Sequence, residues 1–525
     1  MTTNLAGLAL AALLGALVLL GLVVTWRRPF LGLAVLVTGM AAHNVAIMAL
    51  IRLHTPAPLI RGVQAWKEVV LALLVLIVII QIRKRWNEGW RPRLIALDWI
   101  MVAFSALIVG YATLQLALAA GDATLAQRLI SVRLSLLPPL LYALGRWCLP
   151  RTERHLQATG LAIVGSAAIV GVVGLWELWF VPTVQWLDWG AVGFSEWLGY
   201  RYRGPAGLPP NFFQGLADGL LLRRMVSTYI SPLGIAYTGL LVIPLAAGVA
   251  YARETYVPRW LGWVLLSLVT TAVLFSVTRL ALLCMAAEFV FLAFLFRGRR
   301  AIIGSVVALV AVAAVLYGYP KIGPLLTYDL TEYSSPTAFL RSGTASSLDP
   351  GDREGGELIE EALSAQDDSV RGHVRALVAG VAYMVEHPLG TGPGSAVPRY
   401  GETDGPGESA LLRIGGEVGL PGALLYLAMY AGALFVAWRA FVLASAGWLR
   451  SFSLVALVGG LALIPIMLTS DVWGNFSVTF LLWWCVGLCA SVSARVIDPG
   501  LLAPETADRP RPLPPSTRGE EGPAR

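Results

Sequence analysis

The chain contains about thirteen apolar runs, each roughly 17–25 residues long, the length of helix that crosses the hydrocarbon core of a bilayer. They fall at about 4–25, 30–51, 66–82, 95–116, 129–147, 159–181, 230–252, 259–277, 279–296, 301–318, 419–438, 451–470 and 476–495. Lipid offers a polypeptide no hydrogen-bond partners, so such spans must satisfy their own backbones as helices. The expected fold class is all-α: a polytopic membrane protein with about thirteen transmembrane helices (twelve to fourteen) embedded in the lipid bilayer. Composition agrees, since 57% of residues are hydrophobic and only 14% charged, too few charges to cover a soluble surface for a chain of this length. The eighth and ninth runs are nearly continuous and need a turn at Ser276-Val277-Thr278-Arg279. No basic stretch precedes the first run, which therefore reads as a retained helix rather than a cleaved signal.

The expected organisation has four parts. Residues 1–318 form the N-terminal transmembrane helices, with an outer loop at 183–229. A large extracytoplasmic loop follows at 319–418, then the C-terminal transmembrane helices at 419–496, then a disordered cytoplasmic tail at 497–525. Sidedness follows from arginine and lysine clusters in alternate connections, among them Arg27-Arg28, Arg83-Lys84-Arg85 and Arg299-Arg300, which mark the cytoplasmic face. The 183–229 loop holds Trp186, Trp189 and Trp197, rings suited to a headgroup interface. In the large loop Val374, Leu377, Val378, Val381 and Met384-Val385 recur at helical spacing, and the pattern stops at His387-Pro388 before a Gly-rich turn, Gly390-Thr391-Gly392-Pro393-Gly394.

The net charge of +7 is spent on these short clusters. It forms no basic stripe interleaved with aromatics, which argues against nucleic acid as a partner. The four cysteines, Cys148, Cys284, Cys485 and Cys489, sit inside or at the ends of apolar runs and imply packing rather than disulfides. The five histidines show no metal-ligand spacing, so no metal is expected.

Charges on the disfavoured side carry the functional signal. Arg128, Arg133, Arg223, Arg224, Arg279, Arg371, Arg375 and Arg413 fall outside or near the outer ends of spans, where membrane insertion disfavours them. Each can snorkel to headgroups or pair with an acid. Alternatively, several together can bind a phosphate or pyrophosphate, which guanidinium matches bidentately. Glu68, Asp98, Glu177, Glu288 and Asp471 lie within or at the edges of spans. They line no single midplane path and read mostly as partners for Trp, Arg or backbone groups.

Several stretches, in order, carry a family resemblance. They are Arg224-Met-Val-Ser-Thr-Tyr, Ser276-Val-Thr-Arg279, Ser369-Val-Arg371-Gly-His-Val-Arg375, Val385-Glu-His-Pro-Leu-Gly-Thr-Gly-Pro-Gly394, and Gly407-Glu408-Ser-Ala-Leu-Leu-Arg413-Ile-Gly-Gly-Glu417-Val-Gly-Leu-Pro-Gly422. The set resembles the O-antigen ligase/polymerase family, over about residues 125–495. Ser227 stands where that family carries glycine, and Thr278 and Leu280 depart from its Ser-Arg-Gly turn.

The resemblance implies a membrane-embedded, metal-independent inverting glycosyltransferase of the bacterial inner membrane, acting at its periplasmic face without a cofactor. Its donor would be a glycan on undecaprenyl pyrophosphate and its acceptor another glycan, with a chain-length regulator as a candidate partner. Arg224 and Arg279 match the family's phosphate-binding arginines, Arg371 matches its loop arginine, and Arg375 and Arg133 are further candidates for the pyrophosphate. Glu408 occupies the position of the ligases' histidine and is either the base that deprotonates the acceptor hydroxyl or an acid at a helix N-terminus. A Glu-Ser pair there is more like polymerase members, so polymerisation of lipid-linked repeat units is the favoured expectation. Transfer to lipid A-core or protein is the alternative, and a solute transporter the different class. The Gly390–Gly394 amides either face phosphate or form a plain turn.

Overall fold

A computed structural model describes residues 5–117, 123–199, 208–209, 211–215, 220–251, 257–327, 368–396, 409–444 and 447–496. Among these, twelve helices are long and apolar enough to cross a membrane, and Arg259–Phe275 is a further apolar helix of 17 residues. All thirteen sequence-derived runs are helical.

The chain runs through α1 (Leu5–Arg27), α2 (Gly32–Arg52), α3 (Ala57–Gln64), α4 (Trp66–Asn87), α5 (Ala96–Ala117), α6 (Leu125–Trp147) and α7 (Glu153–Phe180). Two short helices, α8 (Thr183–Asp188) and α9 (Ala191–Trp197), lead to a small antiparallel sheet of β1 (Phe213–Gly215), β2 (Leu220–Arg223) and β3 (Leu325–Thr327), in the order β1-β2-β3. Next come α10 (Pro232–Tyr251), α11 (Arg259–Phe275), α12 (Arg279–Phe296), α13 (Arg299–Ile322) and the loop helix α14 (Asp368–Glu386). The last three are α15 (Ala410–Leu443), α16 (Trp448–Thr469), which contains a π-helical turn at Val455–Gly459, and α17 (Phe476–Ser493).

Two helices form the axis of the bundle. In α10 and α17, 94% of the membrane-length window is buried, against 11% in α1. The α6–α17 contact depends on small residues. A Cβ on Gly145 would lie 2.1 Å from the Trp484 carbonyl oxygen, and one on Gly487 would lie 2.1 Å from that of Tyr142. Glycine on both helices lets the backbones touch, which maximises dispersion contacts where lipid supplies no hydrophobic drive. Near these glycines Arg146, fully buried, donates to Asp98 at 3.3 Å, to Ser491 at 3.2 Å and to the Arg93 carbonyl at 2.7 Å. This ties α5, α6 and α17 together at one end of the bundle. α6 opens on a reciprocal cap, with Thr124 N donating to Gln127 Oε1 at 2.8 Å and Gln127 N to Thr124 Oγ1 at 3.3 Å.

Two expectations change. The 183–199 segment does not simply spread its rings toward an interface. Trp186 is 2% exposed and packs edge-on against Phe212, because its indole N–H finds a buried acceptor in Glu177. Helix α14 forms as the periodicity implies, but it packs on α15 through Gly380, against Leu412, and Met384, against Gly415. Val374, Val378, Val381 and Val385 are exposed.

Candidate functional site

The second end of the bundle holds two of the candidate residues, Arg224 and Arg279. Its organiser is Glu177, in the last turn of α7. Its Oε2 accepts from Arg223 Nη2 at 2.8 Å and from Trp186 Nε1 at 3.2 Å, and its Oε1 accepts from the amides of Val226 at 2.9 Å and Ser227 at 3.2 Å. Arg223 also donates to the Val181 carbonyl. Arg223 is therefore a structural arginine. The two terminal nitrogens of a buried guanidinium and both oxygens of a buried carboxylate are hydrogen-bonded here, and together they fix the chain between β2 and α10.

The adjacent Arg224 differs. It is 5% exposed, and its Nε donates to the Ser276 carbonyl at 2.8 Å and its Nη2 to Thr278 Oγ1 at 2.7 Å. Both acceptors are neutral. Burial pushes the Arg224 guanidinium down to about 10, and the nearby positive charge of Arg279 acts in the same direction. Arg279 begins α12 directly after the Ser276–Thr278 turn, whose Val277 takes a left-handed φ of 47°. The turn thus brings together two of the five candidate arginines, 55 positions apart in the chain. The Tyr237 hydroxyl lies close to both Arg224 and Ser470.

Ser470 leads directly to a second group. Asp471 Oδ2 accepts from Arg413 Nε at 2.6 Å. Arg413 Nη1 reaches Ser135 Oγ at 3.2 Å and Glu417 Oε2 at 3.4 Å, and Ser131 donates a short hydrogen bond to the same Glu417 oxygen. Arg413 and Glu417 are each 1% exposed. They lie on the first turns of α15, ahead of a bend at Gly419, where φ is 74° and ψ −171°, a conformation only glycine takes without strain.

The Gly-rich turn is fastened to this bend. Gly390 N donates to the His387 carbonyl at 2.8 Å, Thr391 N to Gly416 O at 3.0 Å, Gly392 N to Glu417 O at 2.8 Å and Gly394 N to Glu417 Oε1 at 3.0 Å. Leu420 N in turn donates to Pro388 O at 2.9 Å. These amides are committed within the protein, which decides between the two readings of the turn: it docks a helix bend rather than presenting its N–H groups to phosphate.

The remaining candidates separate. Arg133 donates to Glu68 Oε1 at 2.5 Å and is half exposed, apart from the Arg224 group. Arg375 is exposed on α14, and Arg371 lies in the first turn of that helix, its side chain outside the described residues. Glu408 also lies outside the described residues. Of the five acids singled out, Glu68, Asp98, Glu177 and Asp471 have arginine partners, as expected of intramembrane acids. Glu288 is 2% exposed, with no hydrogen-bond partner among the described residues. The pairings of Arg223 and Arg413 were missed in the sequence. The signal available was an acid in or beside a span, Glu177 or Asp471, without an indication of which arginine it meets.

The chain matches no protein-family model and no curated protein.

Proposed function

We propose that this multi-pass membrane protein joins glycan repeat units carried on polyprenyl pyrophosphate at the outer face of a bacterial inner membrane, as a polymerase of the O-antigen type. The observation that carries the reading is Arg224, a buried cation whose hydrogen bonds all go to neutral oxygens, with the Arg279 charge beside it. Arg224 has no carboxylate partner among the described residues, and a buried charge without a counter-ion is costly to hold. With a second positive charge close by, the site favours arrival of a multiply charged anion. In the reaction an acceptor hydroxyl oxygen bonds to the anomeric carbon of the donor sugar with inversion. The bond from that carbon to the pyrophosphate oxygen breaks, and the hydroxyl proton passes to a base. Arg224 and Arg279 would stabilise charge developing on the departing pyrophosphate, the kind of preorganised electrostatic effect that typically accelerates by 10²–10³ per donor group. The backbone adds support. Ser227, standing where the resembling family carries glycine, takes a left-handed φ of 44°, the conformation for which glycine is the usual residue.

Arg224→Ala and Arg279→Ala, each introduced in the native host, test the reading through the lipid-linked glycans that accumulate. Single repeat units left on the lipid are expected. Long chains stranded on the lipid would instead identify a ligase. An unchanged glycan distribution in both variants, at normal protein level, would remove the enzymatic reading.

A further inference from the structure

A cavity of about 1170 Å³ lies on the flank of the bundle between α4, α5, α6 and α17. Its walls are apolar, built from residues such as Leu71, Val75, Met101 and Leu136. It opens sideways, since Leu76, Ile79 and Val102 on its rim are each about half exposed. Charged groups occur only at its two ends. At one end Asp98 is closed off by Tyr142, at 2.6 Å, and by Arg146. At the other stand Lys67, Glu68 and Arg133.

That second end carries an excess of positive charge. Arg133 pairs with Glu68 at 2.5 Å, and Lys67 Nζ lies 3.6 Å from the other Glu68 oxygen. Both cations also lie over the ring of Phe476, at 5.2 Å for Lys67 and 4.8 Å for Arg133. Two cations thus share one carboxylate. The Arg133–Glu68 pair is about half exposed, while Lys67 is buried. A solvent-accessible pair is weak, so an incoming anion can take the carboxylate's place.

The length of the groove selects the occupant. Its lining runs from Lys67 to Ile79 along α4 and from Arg133 to Trp147 along α6, about 18 and 21 Å at 1.5 Å per residue. One leaflet of hydrocarbon is about 15 Å thick, half of a ~30 Å core. An occupant that fills the groove is longer than one leaflet is thick, which suits a long polyprenyl chain.

We propose that this groove holds the hydrocarbon chain of a polyprenyl phosphate, with the phosphate between Lys67 and Arg133 in place of the Glu68 carboxylate. The proposal deepens the function given above and rests on it for the identity of the lipid. Neither Arg224 nor Arg279, nor the residues that hold Arg224, line the groove. It is therefore a second lipid-phosphate position, suited to a reaction in which donor and acceptor are both lipid-linked.

The test is titration of the purified full-length protein in detergent micelles with undecaprenyl phosphate, counting bound lipid by native mass spectrometry, with phosphatidylglycerol as the short-chain comparison. Ala72→Phe and Ala106→Phe place rings in the groove at exposed wall positions. Each is expected to weaken one bound undecaprenyl phosphate at least about tenfold while leaving phosphatidylglycerol binding unchanged. Glu68→Gln is expected to tighten the same lipid roughly two- to fivefold, a gain that misfolding cannot imitate. Undiminished binding in both filled variants, or equal competition by phosphatidylglycerol, would overturn the proposal. Because the readout is binding, it is independent of glycan transfer. If Arg224→Ala and Arg279→Ala leave glycans unchanged while the groove variants behave as stated, the function fails and the lipid site stands.

Discussion

Arg413 and Asp471, 58 positions apart, meet at 2.6 Å and join the start of α15 to the strap between α16 and α17. The pair lies between the Arg224 group and the Gly-rich turn. Removing Asp471 leaves the buried Arg413 with only the longer 3.4 Å contact to Glu417, and breaking a buried pair typically costs about 3–5 kcal/mol. Asp471→Ala is therefore expected to destabilise the protein by about that amount, measured by unfolding in mixed micelles on titration with SDS. A loss under about 1 kcal/mol would mean that Glu417 alone suffices for Arg413.

Glu177→Ala removes the acceptor for Arg223, Trp186 and two amides at once. Stability should fall by more than about 3 kcal/mol. Glu177→Gln keeps an acceptor oxygen but loses the charge, and should fall between Ala and the parent. The glycan transfer proposed above should fall with it, since the same loop carries Arg224. Equal stability of the Gln variant and the parent would show that the carboxylate charge is immaterial there.

At Gly419 a methyl group would approach the Pro388 carbonyl oxygen to 2.3 Å, at a backbone φ of 74°. Gly419→Ala should cost at least about 2 kcal/mol from conformation and collision together, and should release the 388–394 turn. Limited proteolysis that cuts this turn faster in the variant is the expected readout. An unchanged digestion pattern would mean that the bend does not hold the turn in place.

Cys148, 1% exposed just past the end of α6, has its thiol pushed up by burial to about 12, from an ordinary value near 8.5. A raised folded-state value favours the neutral form. The associated stability is complete below the unfolded value and is lost as pH rises from about 8.5 toward 12. At pH 8.5, iodoacetamide should modify Cys148 in the folded protein at least about a hundredfold more slowly than in denaturant. Similar rates in the two states, followed by peptide mass spectrometry, would contradict its burial.

The spans were legible because each is a long apolar run, and lipid leaves such a run one backbone solution. The start of α15 was not. Its first turns, Ala410–Val418, contain Arg413, Glu417 and two glycines, which depress the hydropathy that marks a span. The sequence accordingly begins that helix at 419, whereas the structure begins it at Ala410, because these charges are paired inside the protein. The convergence of Arg224 and Arg279 was readable from two short motifs. The work of Glu177 was not, since its donors come from residues 186, 223, 226 and 227, brought together only by the fold. Helical spacing predicted α14 but could not say which of its two apolar faces packs.

The docking of the Gly-rich turn gives the protein a mechanical path. Helix α14 is coupled to the bend of α15 through the hydrogen bonds of residues 388–394, and Glu417 at that bend grips Ser131 of α6 and, through Arg413, the strap before α17. A pull on α14 is thereby delivered to the arginine-lined end of the bundle instead of dissipating before it reaches the membrane helices.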